Sequence, residues 1–364
     1  MGLRKGFRSF IDLRSDPWLF SAILTLSFWG LLSLAGVSGT DGVFFKKQLS
    51  FFFAGLLVFF AVSSVDYRIF RNNSLPSLLF LAAGFFLLLA TLQAAPVRGV
   101  TAWLHFPLGL SFETSEIVKL ALILFLARYF SSQKGRKGVI GLSAVPVFAI
   151  IFLVFLQPDF GSAVILFLIW LGGVLLLGLT RRQITAAALV LFAVSLFASI
   201  FFLEPYQKSR ISSFFSGLSG QGEESYNVTQ AKIAIGSGGL WGKGFSRGTQ
   251  ARYGLLPEAN SDFAVAALVE QFGFAVLAFI LAMYWVVLSR LFFIGTRVND
   301  NFSRFFVFMF LIYFFSHVVI NVGMNLGLLP VTGLPLPFIS YGGSYLFSLM
   351  AGFGIVESIR RRNF

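Results

Sequence analysis

The chain lacks cysteine and has only two histidines, so several kinds of site are ruled out before any motif is considered. Without cysteine there is no disulfide framework, no thiolate nucleophile and no cysteine-based metal site. A histidine metal site would need partners, and the only other histidine that could join His317 is His105, in a predicted outer loop. Charged residues are also scarce, at 12% of the composition, and only 15 residues are acidic. Any chemistry must therefore depend on a few carboxylates and cations.

Apolar residues make up 57% of the chain and fall into repeated runs of about 20, the length that crosses a bilayer. Within lipid such runs must be helical, because a helix satisfies its backbone hydrogen bonds inside one segment. The fold class predicted is therefore an all-α polytopic membrane protein of about ten transmembrane helices. The predicted spans are 17–36, 46–64, 75–93, 115–130, 139–156, 160–179, 183–203, 262–288, 305–327 and 338–357.

The formal charge of +13 is distributed unevenly between the two sides of this predicted membrane. Most of the 28 lysines and arginines lie in segments on the side of both termini, against Lys46, Lys47 and Arg98 in the short loops opposite. The positive-inside rule then places both termini in the cytoplasm, in a plasma (inner) membrane protein. The residues before Pro17 are basic but not apolar enough for a cleavable signal, which predicts a retained signal-anchor. Nucleic-acid binding is not needed to explain the charge.

The chain is predicted to form a single transmembrane domain over residues 1–364. It would comprise a cytoplasmic N-terminal segment (1–16), a long extracellular loop between helices seven and eight (204–261) and a basic cytoplasmic tail (358–364). The loop is rich in glycine and contains GSGGLWGKGFSRGTQ at 236–250, which fails the P-loop pattern because position 237 is serine. Two interpretations stay open for it: a pliable, basic cover that approaches an anion, or a solvated surface loop.

Two ionisable residues lie inside the fourth predicted span, in the stretch TSEIVKLAL. Glu116 and Lys119 are three apart and therefore share one helical face. Each ionised group would cost about 2.5–3.5 kcal/mol at a helix centre, so such groups pair or line a cavity. A functional site and a structural ion pair within one helix are both consistent with this spacing.

Two further polar features have plain structural interpretations. His317, Asn321 and Asn325 are spaced four apart and form one stripe on the ninth span, which is typical of contacts between membrane helices. Residues 157–159, Gln-Pro-Asp, interrupt the apolar sequence between the fifth and sixth spans, which predicts a turn.

The stretch LPEANSDFAVAALVEQFG, at 256–273, places carboxylates where the eighth span begins. Asp262 just before an apolar helix is typical of an N-cap, which is its structural interpretation. The functional interpretation is a base at the outer membrane face, beside a basic loop and a helix N-terminus that favours anions. Such a site suits deprotonation of a hydroxyl while an anionic leaving group departs. Glu258 falls in the last turn of the loop, and Glu270 is a second buried acid that needs an inward-facing partner.

Taken in order, these motifs resemble the SEDS family (shape, elongation, division and sporulation), which are membrane peptidoglycan glycosyltransferases. TSEIVKLAL is similar to its Q-P-S-E-x-x-K element and QPDFGSAVIL to its Q-P-D-x-G segment. The stretch YNVTQAKIAIGSGGLWGKGFSRGTQ, followed by LPEANSDF, resembles its long outer loop and catalytic stretch. LPVTGLPLPFISYGGSYLFSLMAGFGIVESIRRR resembles its last outer loop and helix. The sequences at 321–324 and 350–354 are more similar to the RodA branch than to the FtsW branch.

The resemblance implies a role for each matching residue. Asp262 falls on the family's catalytic aspartate, the general base that deprotonates the 4-hydroxyl of an acceptor GlcNAc. That oxygen attacks a lipid-linked MurNAc with inversion and expels undecaprenyl pyrophosphate. The substrate-binding residues implied are Glu116, Lys119, Glu258, Lys243, Arg247 and Arg98. Among them the cations Lys119, Lys243 and Arg247 are expected to stabilise the pyrophosphate.

Two departures from the family pattern are visible in the sequence. The family's K-G-x-x-R-W segment reads R-G-V-T-A-W here, with Ala102 where an arginine is expected and Arg98 as a possible substitute. Glu113 and Thr114 replace the Gln-Pro of Q-P-S-E. The second departure is expected to add a negative charge near the site.

The function implied is polymerisation of lipid II at the outer face of the plasma membrane during cell elongation. The partner implied is a class B penicillin-binding protein, a transpeptidase whose membrane helix packs against these spans. No cofactor is assigned, and a divalent cation, Mg²⁺ or Mn²⁺, is left open. Two alternatives stand beside this one: a flippase for a lipid-linked sugar, and a non-catalytic scaffold of a wall-building complex.

Overall fold

A computed structural model describes residues 16–38, 42–94, 101–106, 110–133, 138–178 and 223–364. The predicted seventh span, the first part of the long loop, Arg98 and nearly all of the N-terminal segment lie outside these residues. The described elements are α1 (Pro17–Val37), α2 (Val43–Ser64), α3 (Arg68–Asn72), α4 (Leu75–Thr91), β1 (Trp103–Phe106), β2 (Leu110–Glu113), α5 (Thr114–Gln133), α6 (Val139–Leu156), α7 (Phe160–Leu175), α8 (Glu223–Gly238), α9 (Thr249–Arg252), α10 (Ala264–Arg297), α11 (Asn301–Asn325) and α12 (Gly343–Asn363).

The helices confirm the predicted class of an all-α membrane protein. Within the described ranges, five helices are long and apolar enough to cross a membrane: α1, α2, α6, α10 and α11. Large apolar side chains such as Leu57, Phe86 and Trp285 stay exposed on helix faces, as expected where lipid replaces water. Every predicted span except the seventh overlaps a described helix. The small hairpin β1–β2 pairs Trp103 with Glu113 and leads directly into α5.

Several helices begin at aspartate caps that the sequence places there. Asp16 precedes Pro17 and accepts hydrogen bonds from the backbone N–H groups of Trp18 and Leu19, both at 3.1 Å. Asp300 caps α11 in the same way, accepting from Ser303 N at 2.9 Å. Asp159 caps α7, so the predicted turn at 157–159 is confirmed. These caps satisfy N–H groups that a helix start leaves unpaired.

The two ends of the described chain lie on the same face of the bundle. Asp16, at the start of α1, accepts a hydrogen bond from Arg290 Nε at 2.9 Å. Near the end of α12, Asn363 donates to the hydroxyl of Tyr67 at 3.0 Å, and that hydroxyl donates to Asp300 at 3.0 Å. The beginnings of α1 and α11 and the ends of α2 and α12 therefore meet on one side.

The helix α10 is broken at Gly273, which has φ 81° and ψ 177°. The break leaves a short N-terminal half-helix (264–272) and a long span after it. The glycine-rich loop (residues 236–250) fills the gap. Phe274 N donates to Gly239 O at 2.9 Å, and Gly244 N donates to Gln271 O at 3.0 Å. A Cβ at position 273 would overlap the Leu240 carbonyl, so this approach requires glycine. A membrane protein tolerates such a break only where other protein groups satisfy the freed backbone.

The described part of the long loop is ordered and attached to the helices. Residues 223–238 form α8, which packs on α10, and its Ala231, Ala234 and Ile235 side chains are buried. After it, residues 239–244 pair with the break in α10. The described residues 223–261 are therefore attached to the helices through α8 and the break in α10, while Trp241, Arg247 and Arg252 stay exposed.

Candidate active site

Asp262 lies in a turn just before the half-helix rather than at its cap. The N-cap position is Phe263, whose side chain cannot accept a hydrogen bond, and α10 begins at Ala264. The N-cap interpretation of Asp262 is therefore wrong. The side chain is partly exposed, and a Cβ added at Gly333 would lie 3.7 Å from its Oδ2 atom. The carboxylate thus faces the backbone of the last loop of the chain.

Two asparagines of α11 hold the backbone around Asp262. Asn321 Nδ2 donates to the Asp262 carbonyl at 3.1 Å, and Asn325 Nδ2 donates to the same oxygen at 2.9 Å. Asn325 Oδ1 also accepts from Ala266 N at 3.1 Å, so it satisfies an N–H group at the start of the half-helix. The polar stripe on α11 therefore makes the predicted contact with another helix, α10, and its two asparagines also position Asp262.

The loop between α11 and α12 closes the other side of this turn. Tyr341 N donates to Asn260 O at 2.8 Å, and Ser340 Oγ donates to Ser261 O at 2.5 Å. The loop itself is held by Asn321, which donates to Leu334 O at 2.7 Å. Asp262 therefore lies between the end of α11 and this loop. The helix contacts the backbone carbonyl of Asp262, and the loop contacts the backbone carbonyls of Asn260 and Ser261.

Glu116 and Lys119 form the ion pair that their spacing predicts. Lys119 Nζ lies 2.7 Å from Glu116 Oε1, and the two side chains are 0% and 1% exposed. Tyr313 Oη donates to Glu116 Oε2 at 3.2 Å, and Ser348 Oγ donates to the Glu116 carbonyl at 2.8 Å. The structural interpretation of the pair is satisfied, and neither charge is accessible from solvent in this arrangement.

A single polar stripe on α11 connects the ion pair to Asp262. Tyr313 contacts Glu116 at one end, and Asn321 contacts the Asp262 carbonyl at the other. At a rise of about 1.5 Å per residue these two contacts are about 12 Å apart along the axis. His317 lies between them, with Nδ1 3.2 Å from the Pro335 carbonyl. One face of α11 thus contacts both the ion pair and Asp262, at different depths. The sequence did not single out Tyr313, although it lies four residues before His317 and shares the spacing of the stripe.

Glu113, at the end of β2, does not add the negative charge expected from the sequence. Burial, together with the nearby Glu116 and Asp159 carboxylates, raises the pKa of Glu113 to about 8. Ser115 Oγ donates to its Oε1 atom at 2.7 Å, and its backbone N–H donates to Ser344 Oγ at 2.9 Å. At neutral pH the side chain is protonated, so it resembles the glutamine that it replaces.

This protonation predicts a pH-dependent stability. The unfolded carboxyl titrates near its ordinary pKa of 4.5, so between that pH and about 8 the folded state binds one more proton than the unfolded state. Stability should therefore fall as pH rises through this window, by at most about 1.4 kcal/mol per pH unit. We expect the melting temperature in detergent to drop between pH 5.5 and 8.5, and Glu113→Gln to reduce that drop. Equal slopes for the two proteins would contradict the raised pKa.

Glu270 has the inward-facing partner that the sequence requires, and that partner is Lys243. Lys243 Nζ lies 2.7 Å from Glu270 Oε1, which also accepts from Thr249 Oγ1 at 3.1 Å. The backbone N–H groups of Gln250 and Ala251 donate to the same carboxylate, at 2.9 and 3.2 Å. We call this set of contacts the loop latch. It fastens residues 243–251 to the half-helix, and it neutralises the charge of Lys243.

The remaining predicted residues are distributed around this frame. Glu258 is partly buried in the same turn as Asp262, and its Oε2 accepts from Ser261 Oγ at 3.0 Å. Arg247 is exposed on the loop near the latch. Ala102 is fully buried, and its carbonyl accepts from Thr114 N at 3.1 Å, so a small residue fits this position.

The described residues do not bring together the acidic or histidine groups that a protein metal site needs. No group of three or more such side chains is close enough to hold an ion within the ranges that the structure covers.

Comparisons with known proteins identify the family. A model of the FtsW, RodA and SpoVE proteins, described as cell cycle proteins, matches residues 17–363. The chain belongs to this family. Its relatives include the peptidoglycan glycosyltransferase MrdB of Escherichia coli K12, which is 33% identical over 94% of this chain and 93% of that protein. A probable peptidoglycan glycosyltransferase FtsW of Coxiella burnetii is 34% identical over 97% of this chain and 98% of that one.

Solved structures of family members share the fold. A chain from a peptidoglycan synthase complex, studied for the coordination of polymerization and crosslinking, superposes with a TM-score of 0.82 at 26% identity, covering 97% of this chain and 99% of that chain. The rod shape-determining protein RodA of Thermus thermophilus gives a TM-score of 0.73, also at 26% identity and with the same coverage. These neighbours support the RodA branch, while FtsW proteins of similar identity are also among the relatives.

Proposed function

We propose that this protein is a peptidoglycan glycosyltransferase that polymerises lipid II during cell elongation. The observation that supports it most directly is full-length similarity to relatives named for that activity, at about a third of residues identical. The position of Asp262 agrees with it, since a partly exposed carboxylate is held in a fixed turn at the end of the bundle opposite the chain termini. The similarity to a rod shape-determining protein supports the elongation role.

In the proposed reaction, Asp262 accepts the proton of the 4-hydroxyl of an acceptor GlcNAc. The freed oxygen attacks the anomeric carbon of a lipid-linked MurNAc from the face opposite the pyrophosphate. A new C–O bond forms, the bond to the pyrophosphate oxygen breaks, and undecaprenyl pyrophosphate leaves with the electron pair. One carboxylate suffices because pyrophosphate needs no strong general acid, unlike the leaving group of a glycosidase, which uses a carboxylate pair.

The pyrophosphate requires cations, and the predicted set divides by accessibility. Arg247 is exposed and available to an anion, and Arg98 stays a prediction outside the described residues. Lys243 is bound to Glu270, so we propose that it supports the loop that carries Arg247. Lys119 is buried against Glu116 and would reach a phosphate only after that pair rearranges. Glu258 would act beside Asp262 within the same turn.

The proposed location is the plasma (inner) membrane with both chain ends in the cytoplasm. The described ends meet on one face through the contacts of Asp16 and Asn363, and the basic residues Arg360, Arg361 and Arg362 lie on that face. The positive-inside rule assigns such a face to the cytoplasm. Asp262 then lies at the outer face, with the bilayer lipid around the helices.

The proposed partner is a class B penicillin-binding protein, whose transpeptidase would cross-link the strands that this protein makes. Support comes from the similarity to a chain studied in a peptidoglycan synthase complex that coordinates polymerization and crosslinking. Both proteins would share the outer membrane face, where the glycan product emerges.

The test is polymerisation of fluorescent lipid II by the purified protein, with and without the penicillin-binding partner, resolved on a glycan gel. Long products would support the proposal, and adding EDTA before Mg²⁺ or Mn²⁺ would decide whether a divalent cation is required. If no polymer forms under any of these conditions, a flipping assay in liposomes would test the alternative that the protein transports a lipid-linked sugar.

Replacement of Asn325 by leucine is expected to slow polymerisation without unfolding the protein. The variant removes one of the two donors to the Asp262 carbonyl, leaving Asn321, and it removes the acceptor for Ala266 N, so the turn that carries Asp262 shifts. A displacement of about 1 Å at a reacting group can cost about 100-fold in rate. We expect the turnover rate to fall by about 10- to 100-fold, and KM to change by a smaller factor.

The matched control is Asn363→Leu, which removes an asparagine amide that donates to Tyr67 and Ile359 on the opposite face. It should leave the rate near that of the wild type. A wild-type rate for folded Asn325→Leu would contradict the positioning role.

A further inference from the structure

The glycine-rich loop carries large apolar side chains that no other part of the described protein covers. Leu240 is 67% exposed, Trp241 82% and Phe245 50%. We call these three residues the aromatic tip. Exposure of this extent is unusual for a tryptophan in a water-facing loop, since apolar patches on protein surfaces mark contacts with partners or membranes.

The backbone of the aromatic tip is fixed rather than free. Leu240 O accepts from Ala275 N at 3.1 Å, and Gly242 N donates to Gly238 O at 2.7 Å. On the far side, Lys243 N donates to Glu270 O at 2.9 Å. The tip therefore stays at the level of the break in α10, whatever the rest of the loop does.

Helix lengths relate that level to the thickness of a bilayer. The Arg290–Asp16 ion pair lies at the face of the chain ends, and Gly273 lies about 26 Å from Arg290 along α10 at the usual helical rise. A second helix gives the same height: Gln271 donates to the Ser33 carbonyl, about 26 Å along α1 from Asp16. The hydrocarbon core is about 30 Å thick, so the tip lies close to the interface opposite the chain ends.

The surroundings of the tip favour a lipid surface as its occupant. Below it, the exposed side chains of Phe274 and Phe279 continue the apolar surface along the long span of α10. Beside it, Arg247 and Arg252 are exposed. Tryptophan at the headgroup level with cations next to it is the composition that membrane interfaces favour, since cations attract anionic lipid headgroups.

We propose that the aromatic tip inserts into the headgroup–acyl boundary of the outer leaflet and binds the glycine-rich loop to the membrane. The loop would then be held from two sides, by the loop latch on the protein and by the tip in the lipid. This contact is independent of glycosyl transfer, and it stands or falls without the proposed reaction.

Because the chain has no cysteine, a single one can report the position of the tip. Trp241→Cys would be labelled with the fluorophore nitrobenzoxadiazole in full-length protein, in vesicles of phosphatidylethanolamine and phosphatidylglycerol. Nitroxide-labelled lipids would then quench it, with the nitroxide either shallow or deep in the acyl chains. Two labelled controls bracket the scale: Trp285→Cys, exposed within the long span, and Asn72→Cys, exposed at the face with the chain ends.

We expect blue-shifted emission at position 241 and stronger quenching by the shallow nitroxide than by the deep one. Emission and quenching like those at position 72 would show a tip in water and overturn the proposal. Blue-shifted emission without lipid quenching would show that protein covers the tip, which also overturns it. Leu240→Cys provides the same measurement if Trp241→Cys does not fold.

Discussion

Replacement of Asp262 by asparagine is expected to abolish lipid II polymerisation while the protein remains folded. Asparagine is nearly isosteric with aspartate, and the contacts from Asn321 and Asn325 are made to the backbone carbonyl, which the variant keeps. What is lost is the group that accepts the proton of the attacking hydroxyl. A positioned general base contributes about 10²–10⁴-fold, so a decrease of that size is expected in the turnover rate. Lipid II consumption gives the turnover rate, glycan gels show whether polymer forms, and the melting temperature reports whether the variant is folded.

Asp300→Asn is the matched control. Asp300 also lies just before a helix, where it caps α11 on the face of the chain ends, and asparagine can cap equally well. This variant should polymerise at the wild-type rate. If Asp262→Asn keeps its rate as well, the carboxylate is not the base. If Asp262→Asn binds the penicillin-binding partner normally but makes no polymer, a non-catalytic scaffold role is excluded as the sole function.

Replacement of Glu270 by alanine is expected to release the glycine-rich loop and to lower activity with it. The variant leaves Lys243 and the backbone N–H groups of Gln250 and Ala251 without their acceptor. Loss of one partner from a buried ion pair costs about 3–5 kcal/mol, and the partial exposure of Lys243 places this pair at the lower end. A local loss of about 3 kcal/mol corresponds to roughly 100-fold faster amide exchange at Gln250 and Ala251. Hydrogen exchange followed by mass spectrometry on peptides of the loop measures it.

The control for this variant is Glu357→Ala at the opposite face. Glu357 is also buried, and it pairs with Arg360 at 2.8 Å and Arg361 at 2.8 Å. Its loss should destabilise the end of α12 without changing exchange in the loop. Glu270→Gln should be milder than alanine, because an amide oxygen still accepts. Unchanged loop exchange in Glu270→Ala would show that the break at Gly273 alone holds the loop, and the latch would have no positioning role.

The variants at positions 262 and 270 separate chemistry from positioning. Loss at Asp262 should leave loop exchange unchanged, because no loop-latch contact involves that residue. Loss at Glu270 should change exchange and activity together. An opposite pattern, in which Asp262→Asn loosens the loop, would mean that the carboxylate serves the fold of the turn instead of the reaction.

Much of the architecture could be predicted from the sequence because the membrane restricts the choice of structure. Runs of about 20 apolar residues admit only helices, and most described helices begin and end within a few residues of the predicted spans. The exceptions are α10, which ends nine residues later than predicted, and α12, which begins five residues later. The Glu116–Lys119 pair and the stripe on α11 were predictable for the same reason, since residues three or four apart share a helix face. The family motifs then indicated Asp262 without any geometry.

Contacts between segments distant in the sequence could not be predicted in this way. The pairing of Lys243 with Glu270 depends on how the loop returns to α10, and the sequence favoured a substrate role for that lysine. The pKa of Glu113 depends on its burial and on the nearby Glu116 and Asp159. These three residues lie at the end of β2, in α5 and at the start of α7, so the sequence wrongly predicted a negative charge at position 113. Asp262 was open to a capping role until the structure placed Phe263 at that position.

The sequence by itself determined that this chain is a membrane protein of one family, which residues are ionisable within it, and which helix faces those residues occupy. These follow from length, periodicity and motif, all of which are local properties. Only the tertiary structure decided that α10 breaks at Gly273 and that the glycine-rich loop fills the break. It also decided which charges are paired and which stay exposed. The reason is physical: burial and hydrogen bonding depend on the neighbours that folding supplies, and the sequence does not specify them one residue at a time.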